Sequence, residues 1–233
     1  GAAGGTGRYC LLCFGFGPLS GPAGAGGLIW KIPAVGGRED ALVIRKGRMV
    51  LKDLPREVLH LQMQAAVENL RKNRMDAYLV SRKEDVVPQV RALLHAGDSV
   101  AVGGSETLKE SGVLELLRSG DYQFIDRYAP GLTPEQVRRV FLDSLSADAY
   151  LCSANAVTMR GELYNVDGNG NRVAALIFGP AQVIIVCGMN KVATDTDAAI
   201  ARVRNIASPP NCNRLNRKTP CATTGVCADC LSP

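Results

Sequence analysis

The sequence predicts an α/β fold: an open, mostly parallel sheet with helices on both faces. Three observations carry this. Short apolar runs alternate with helical patterns through most of residues 76–206. Residues 183–186 (VIIV) are the most β-branched of these runs, as suits a central strand buried on both faces. The loops after three predicted strands, residues 103–105, 153–155 and 188–191, are polar or glycine-rich, and open sheets of this kind bind ligands beyond the carboxyl ends of their strands.

In chain order, residues 54–73 carry apolar side chains at helical spacing, with Leu54, Val58, Leu61 and Ala65 on one row and Leu59, Met63, Val67 and Leu70 on another. Asp53 stands as the cap and Pro55 in the first turn. Residues 77–80 read as a strand. Ser81 and Glu84 are spaced as a capping box for a helix running to His95, which Gly97 ends. Residues 99–102 are the next strand and run directly into Gly103-Gly104-Ser105, followed by a helical pattern with Leu108, Val113, Leu114 and Leu117. Strand, glycine turn, hydroxyl and helix is an arrangement that binds phosphate or carboxylate; a plain tight turn uses the same residues.

Residues 122–125 are a strand. Thr133-Pro134-Glu135-Gln136 opens a helix with a cap, Pro at the first position and Gln at the third, and Val137, Val140, Phe141 and Leu145 are its expected buried stripe. Residues 149–152 form a strand leading to Asn155. Residues 159–166 read as a hairpin about Arg160-Gly161, and residues 194–204 as a helix with Asp195 and Asp197 in its first turn.

Residues 155–172 hold four asparagines, one Asp and three glycines, so the stretch demands a directed turn rather than a loose loop. Within Asp167-Gly168-Asn169-Gly170-Asn171, the glycines permit positive φ, so backbone N–H groups can converge on an anion. Asn169 or Asn171 is then the expected cap of a helix through Arg172. Lys191 and Arg172 are cations able to neutralise a carboxylate or phosphate, Arg172 bidentately.

The chain has 233 residues, 46% hydrophobic, 5% aromatic and with a formal charge of +5. Few aromatics argue against single-stranded nucleic acid. Residues 1–48 hold six Lys/Arg against two Asp/Glu, so most of the charge excess sits there and the body is near neutral. Neither nucleic acid nor a membrane span is expected. Residues 1–48 also hold 13 of the 25 glycines and a Cys10/Cys13 pair with no second pair nearby. Their apolar run, residues 11–16, is short and glycine-broken, unlike a signal peptide. They are read as a leader outside the domain, with residues 49–208 the α/β domain and residues 209–233 a cysteine-rich tail.

Val102-Gly103-Gly104-Ser105-x-Thr107, Asn155-Ala156-Val157-Thr158, Gly161-Glu162-Leu163, Asn165 to Val173, Phe178-Gly179-Pro180, Gly188-Met189-Asn190-Lys191 and Thr219-Pro220-Cys221 resemble the LUD (lactate utilisation) domain family. The resemblance covers residue 54 to the C-terminus, and residues 165–172 are its most specific part. It implies a fold like the sugar-isomerase and CoA-transferase group and a cytoplasmic protein linked to lactate oxidation, in some cases beside iron–sulfur proteins.

Two functions follow as expectations. The first is binding or turnover of a small anion: a carboxylate, a phosphorylated metabolite or a CoA ester. Gly103, Gly104, Ser105, Asn155, Thr158, Asn165, Asp167, Gly168, Asn169, Gly170, Asn171, Arg172, Asn190 and Lys191 would line that site. Asp167 is expected to orient the turn rather than touch the anion. Glu162 is the carboxylate placed to act as base or nucleophile, by analogy of fold; it equally suits an ordinary hairpin residue. His60 and His95 fall on helices, so no Ser–His–Asp arrangement is visible.

The second function is an accessory protein that docks iron–sulfur redox proteins and transfers electrons. Cys221, Cys227 and Cys230, preceded by Cys212, crowd a polar tail without the apolar residues to fold alone. A metal is the expected organiser, iron–sulfur ahead of zinc given the redox setting that the resemblance implies. The fourth ligand is then Cys212 or, on the resemblance, a cysteine beyond Pro233.

Overall fold

The computed structural model describes the backbone of residues 9–14 and 54–230 and the side chains of residues 58–230. Its elements run β1 (Tyr9–Phe14), α1 (Leu54–Lys72), β2 (Asp76–Val80), α2 (Val86–Leu93), β3 (Ser99–Val102), α3 (Glu106–Glu110), α4 (Val113–Leu117), β4 (Gln123–Ile125), α5 (Pro134–Asp143) and β5 (Ala149–Cys152). They continue with β6 (Ala156–Thr158), β7 (Leu163–Tyr164), α6 (Asn171–Ile177), β8 (Gln182–Gly188), β9 (Val192–Ala193), α7 (Thr196–Arg202), α8 (Ser208–Arg214) and α9 (Pro220–Thr224).

The fold is α/β, as expected. Six parallel strands pair in the order β2-β1-β8-β5-β3-β4. Side chains alternate between two cores because successive strand residues point to opposite faces. Val100, Val102, Ala149, Leu151, Ile184 and Val186 face α2, α3 and α4 through Val86, Val90, Leu108, Val113 and Leu117. Ala101, Tyr150, Cys152, Val183, Ile185 and Cys187 face α1 and α6 through Met63, Ala66, Leu70, Ala175 and Leu176. The interior position expected for residues 183–186 holds.

One segment departs from the expected organisation. Residues 1–48 were expected to lie outside the domain, yet Tyr9–Phe14 is a strand between β2 and β8. An apolar run too short for a signal peptide is long enough for a strand. The rest of the leader, and Asp53, lie outside the described residues.

Several helix ends also differ. The Ser81/Glu84 capping box does not form. Residues 83–85 make a single tight turn, Asp85 pairs with Arg82 at 3.0 Å, and the helix starts at Val86. Gly112, at φ 77°, splits the helix after Gly104 into α3 and α4. The α5 stripe is half-buried rather than buried. The Thr133 capping box does form: Thr133 Oγ1 accepts from Gln136 N and Gln136 Oε1 accepts from Thr133 N. Thr133→Ala should therefore cost about 1 kcal/mol. A urea melt unchanged by that substitution would remove the box from the stability of α5.

A small second sheet, β7-β6-β9, lies beyond β5 and carries the hairpin expected at residues 159–166. Gly161 turns it at φ 82° and packs against the α1 backbone. Asn69 Nδ2 donates to Met159 O (2.7 Å) and Asn73 Nδ2 to Gly161 O (3.0 Å), pinning the hairpin to α1.

The tail is tied to the domain without a disulfide. Arg214 pairs with Glu106 (3.1 Å) and Arg204 with Asp229 (2.8 Å), and Pro209 and Cys221 are buried. Cys152, Cys187, Cys212, Cys221 and Cys227 form no disulfide.

Candidate functional site

β3, β5 and β8 end side by side, so their following loops meet at one edge of the sheet. Gly103 N donates to Leu151 O at 2.8 Å, extending the β3–β5 register past Val102. A Cβ on Gly103 would stand 2.9 Å from Tyr150 Oη, 3.0 Å from Cys152 Cβ and 3.3 Å from Arg172 Cδ. Residues 103–105 and 165–172 are therefore in contact, as the shared-site expectation required. Ser105 caps α3 by accepting from Leu108 N, and its own N–H donates to Tyr128 Oη.

Arg172 organises the polar turn rather than facing a ligand. Its Nη1 donates to Ser153 O (2.8 Å) and Asn165 Oδ1 (2.5 Å); its Nη2 donates to Asn155 Oδ1 (2.7 Å) and Val166 O (2.8 Å). Asn155 Oδ1 also accepts from Val166 N. Asn155 and Asn165 are thus spent on the turn.

The expected anion-binding concavity exists, and the chain fills it itself. Asp167 accepts from Asn169 N (3.3 Å), Arg172 N (2.8 Å) and Val173 N (3.1 Å). It does the capping expected of Asn169 or Asn171, while Gly170 takes the cap position at φ 77°. Gly168, Asn169 and Gly170 are exposed, and Asn171 is the first residue of α6. Thr158 is fully buried and bonds Glu162. Glu162 accepts from the Thr158 and Thr196 hydroxyls at 2.8 and 3.0 Å, which fits a hairpin pin. Asn190 offers its carbonyl to Arg202.

Lys191 is different. It is half-buried, and its Nζ donates to Ser153 Oγ (2.5 Å) and Thr107 Oγ1 (2.9 Å). Among the described residues no carboxylate pairs with it. Arg172, Arg202 and Arg127 stand around the same edge, and none of them belongs to an ion pair among the described residues. Arg202 donates to Asn155 O and Asn190 O. Arg127 stacks on Phe141 at 4.7 Å and Tyr128 at 5.6 Å, and its guanidinium would stand 3.6 Å from a Cβ on Gly104. Gly104 is exposed, and its N–H has no acceptor among the described residues. The edge thus combines cations outside any ion pair among the described residues, two hydroxyls and an exposed glycine backbone.

Burial is the main cause that holds the Lys191 ammonium below its ordinary pKa; Arg202 and Arg172 push the same way, and the Cys187 and Cys152 thiols oppose them. The unfolded chain then binds this proton more tightly. Stability should rise as pH climbs from the lowered folded value towards that of free lysine. Urea melts taken across alkaline pH check the sign; stability that falls over that range would contradict it. The Cys152 thiol, fully buried, is pushed up to about 12 and stays neutral.

Sequence reasoning missed Arg127, Ser153, Thr107 and Tyr128. Residues 126–128 follow a strand at the same edge, but no glycine or amide marks them. His60 is exposed, and the His95 side chain, 89% exposed, faces Asp98. Neither joins the site.

Cys212 lies against Cys221, and burial first, then that neighbouring thiol, raises its pKa against the lowering by Thr219. Thr219 Oγ1 is 3.3 Å from Cys221 Sγ. Cys227 is half-buried and Cys230 exposed, and among the described residues no three Cys, His, Asp or Glu side chains gather around one point. Of the four thiols, Cys212 and Cys221 meet.

Fold and site together define an α/β domain with a cationic, hydroxyl-lined edge at the carboxyl ends of its central strands. The LUD domain family matches residues 63–232, well over half of the chain, and the chain belongs to that family. This membership associates it with lactate utilisation. No curated protein and no solved structure was found to match it. Among the described residues no helix is long and apolar enough to cross a membrane.

Proposed function

We propose that this LUD-family domain binds a small anion in the service of lactate utilisation, at the edge formed by Gly104, Arg127, Ser153 and Lys191. The ligand class is a carboxylate, a phosphorylated metabolite or a CoA ester. One observation carries the reading: Lys191 is half-buried on two hydroxyls with no carboxylate partner among the described residues, near enough to Arg172 and Arg202 to feel their charge. Cations so placed repel one another and gain from an anion between them. A cytoplasmic setting belongs to the same reading, as the family's link to lactate utilisation suggests. Thermal melts in low salt with phosphate, L-lactate, pyruvate or acetyl-CoA test it. At least one should raise the midpoint in a saturable, salt-weakened way. Midpoints indifferent to all four would end the reading.

A second reading rests on the Cys212–Cys221 contact, which brings two thiols of the tail together ahead of any metal. It makes the protein an iron–sulfur accessory that docks redox partners, with zinc as the alternative metal. Protein purified without oxygen should then be brown and hold iron and sulfide. Colourless protein without iron or zinc would end this reading and leave the anion site untouched.

A further inference from the structure

We propose that Ser153 and Lys191 form a nucleophile–base pair that takes an acyl group from an activated ester or thioester bearing its own negative charge. This rests on the anion-site reading and names the reaction that site would serve.

The geometry is that of a nucleophile with its base. Ser153 Oγ and Lys191 Nζ are 2.5 Å apart, within the reach a proton transfer requires. Ser153 cannot drift, because its carbonyl accepts from Arg172 Nη1 at 2.8 Å. Lys191 is held from its other side by Thr107 Oγ1 at 2.9 Å. Two further groups lie against Ser153 Oγ: Ala154 O, which accepts from it at 3.5 Å, and the buried Cys187 Sγ at 3.6 Å, which takes a weak bond from Ala154 N. Burial favours the neutral amine, the form able to accept a proton. The groups facing that amine are Thr107, Ser153, Cys152, Cys187, Arg172 and Arg202.

Donors for the developing oxyanion lie on the neighbouring loop. Val102 pairs with Leu151 and Gly103 N donates to Leu151 O, so residues 103–104 leave the sheet beside the strand that leads into Ser153. The Gly104 N–H and the Arg127 guanidinium, 3.6 Å from where a Cβ on Gly104 would stand, are the backbone donor and the cation that this loop offers an acyl oxygen or a substrate carboxylate.

The step balances. Ser153 Oγ bonds to the acyl carbon as its proton passes to Lys191 Nζ. The bond from that carbon to the leaving oxygen or sulfur breaks, and the leaving group takes the proton from Lys191. Water then adds to the acyl carbon, the bond to Ser153 breaks, and Ser153 regains a proton while the carboxylic acid departs.

The test uses the full chain and 4-nitrophenyl hemisuccinate, an activated ester with a free carboxylate, against neutral 4-nitrophenyl acetate. Nitrophenolate release and peptide mass mapping are read together with calorimetric titration of succinate. Expected is a succinyl adduct on Ser153, absent from folded Ser153→Ala, formed about tenfold faster than the acetyl adduct, a gap near the 1.4 kcal/mol that one charge contact provides. Its rate should rise with pH through a midpoint below that of an exposed lysine. An adduct found only on surface lysines, or none, overturns the pair whether or not Ser153→Ala folds. Succinate that binds without acylating would sink this inference alone; succinate that fails to bind would count against the anion site as well.

Discussion

Gly161→Ala is expected to cost about 4 kcal/mol, the combined scale of overpacking and of a left-handed backbone forced on a side chain. A Cβ there would stand 2.7 Å from both Asn69 C and Leu70 N, at φ 82°. Those atoms are backbone in the last turn of α1, so no side chain can rotate away. Either α1 or the hairpin must move, and the Asn69 and Asn73 bonds across the contact break with it. Such a loss is a large part of a domain's total stability. Urea unfolding of purified variant measures it; a cost under about 1 kcal/mol would mean that the hairpin is not seated on α1 as described.

Arg172→Ala is expected to cost about 3 kcal/mol, because it strips a charged donor from four acceptors at once, three of the bonds part-buried. For a domain of this size that lowers the melting midpoint by about 10 °C. The consequence separates structure from function. Read from the sequence, Arg172 is the bidentate anion ligand; read from its bonds, it is the clamp on residues 153–166. A variant that keeps wild-type stability and loses only ligand affinity would restore the first assignment.

The parallel sheet was legible because its signals are local and periodic. Strands of four or more apolar residues, the Thr133 box and the glycine turn after β3 all sit where the pattern puts them. The meeting of the loops at one edge was legible too, since it follows from parallel strands ending in register. Partner choice within that edge was not. The turn amides looked like a receptor for an outside anion, and the carboxylate of Asp167, expected to orient the turn, takes three of them. Arg127 and Ser153 carry no motif, and only packing against Phe141 and Lys191 gives them a role. The strand at Tyr9–Phe14 pairs with residues far along the chain, which no window around it can report.

Isothermal calorimetry of the wild-type chain and of Lys191→Met, at near-neutral pH and low salt, tests the anion site most directly. Methionine fills the space of the lysine stem and removes only the charge and its two hydroxyl bonds. The titrant is whichever of phosphate, L-lactate, pyruvate or acetyl-CoA raises the wild-type melting midpoint. Predicted is a single site in the wild type, weakened at least about tenfold in a folded Lys191→Met, the scale of one charge-assisted contact. Equal affinity in the two proteins would place the anion elsewhere and contradict the account.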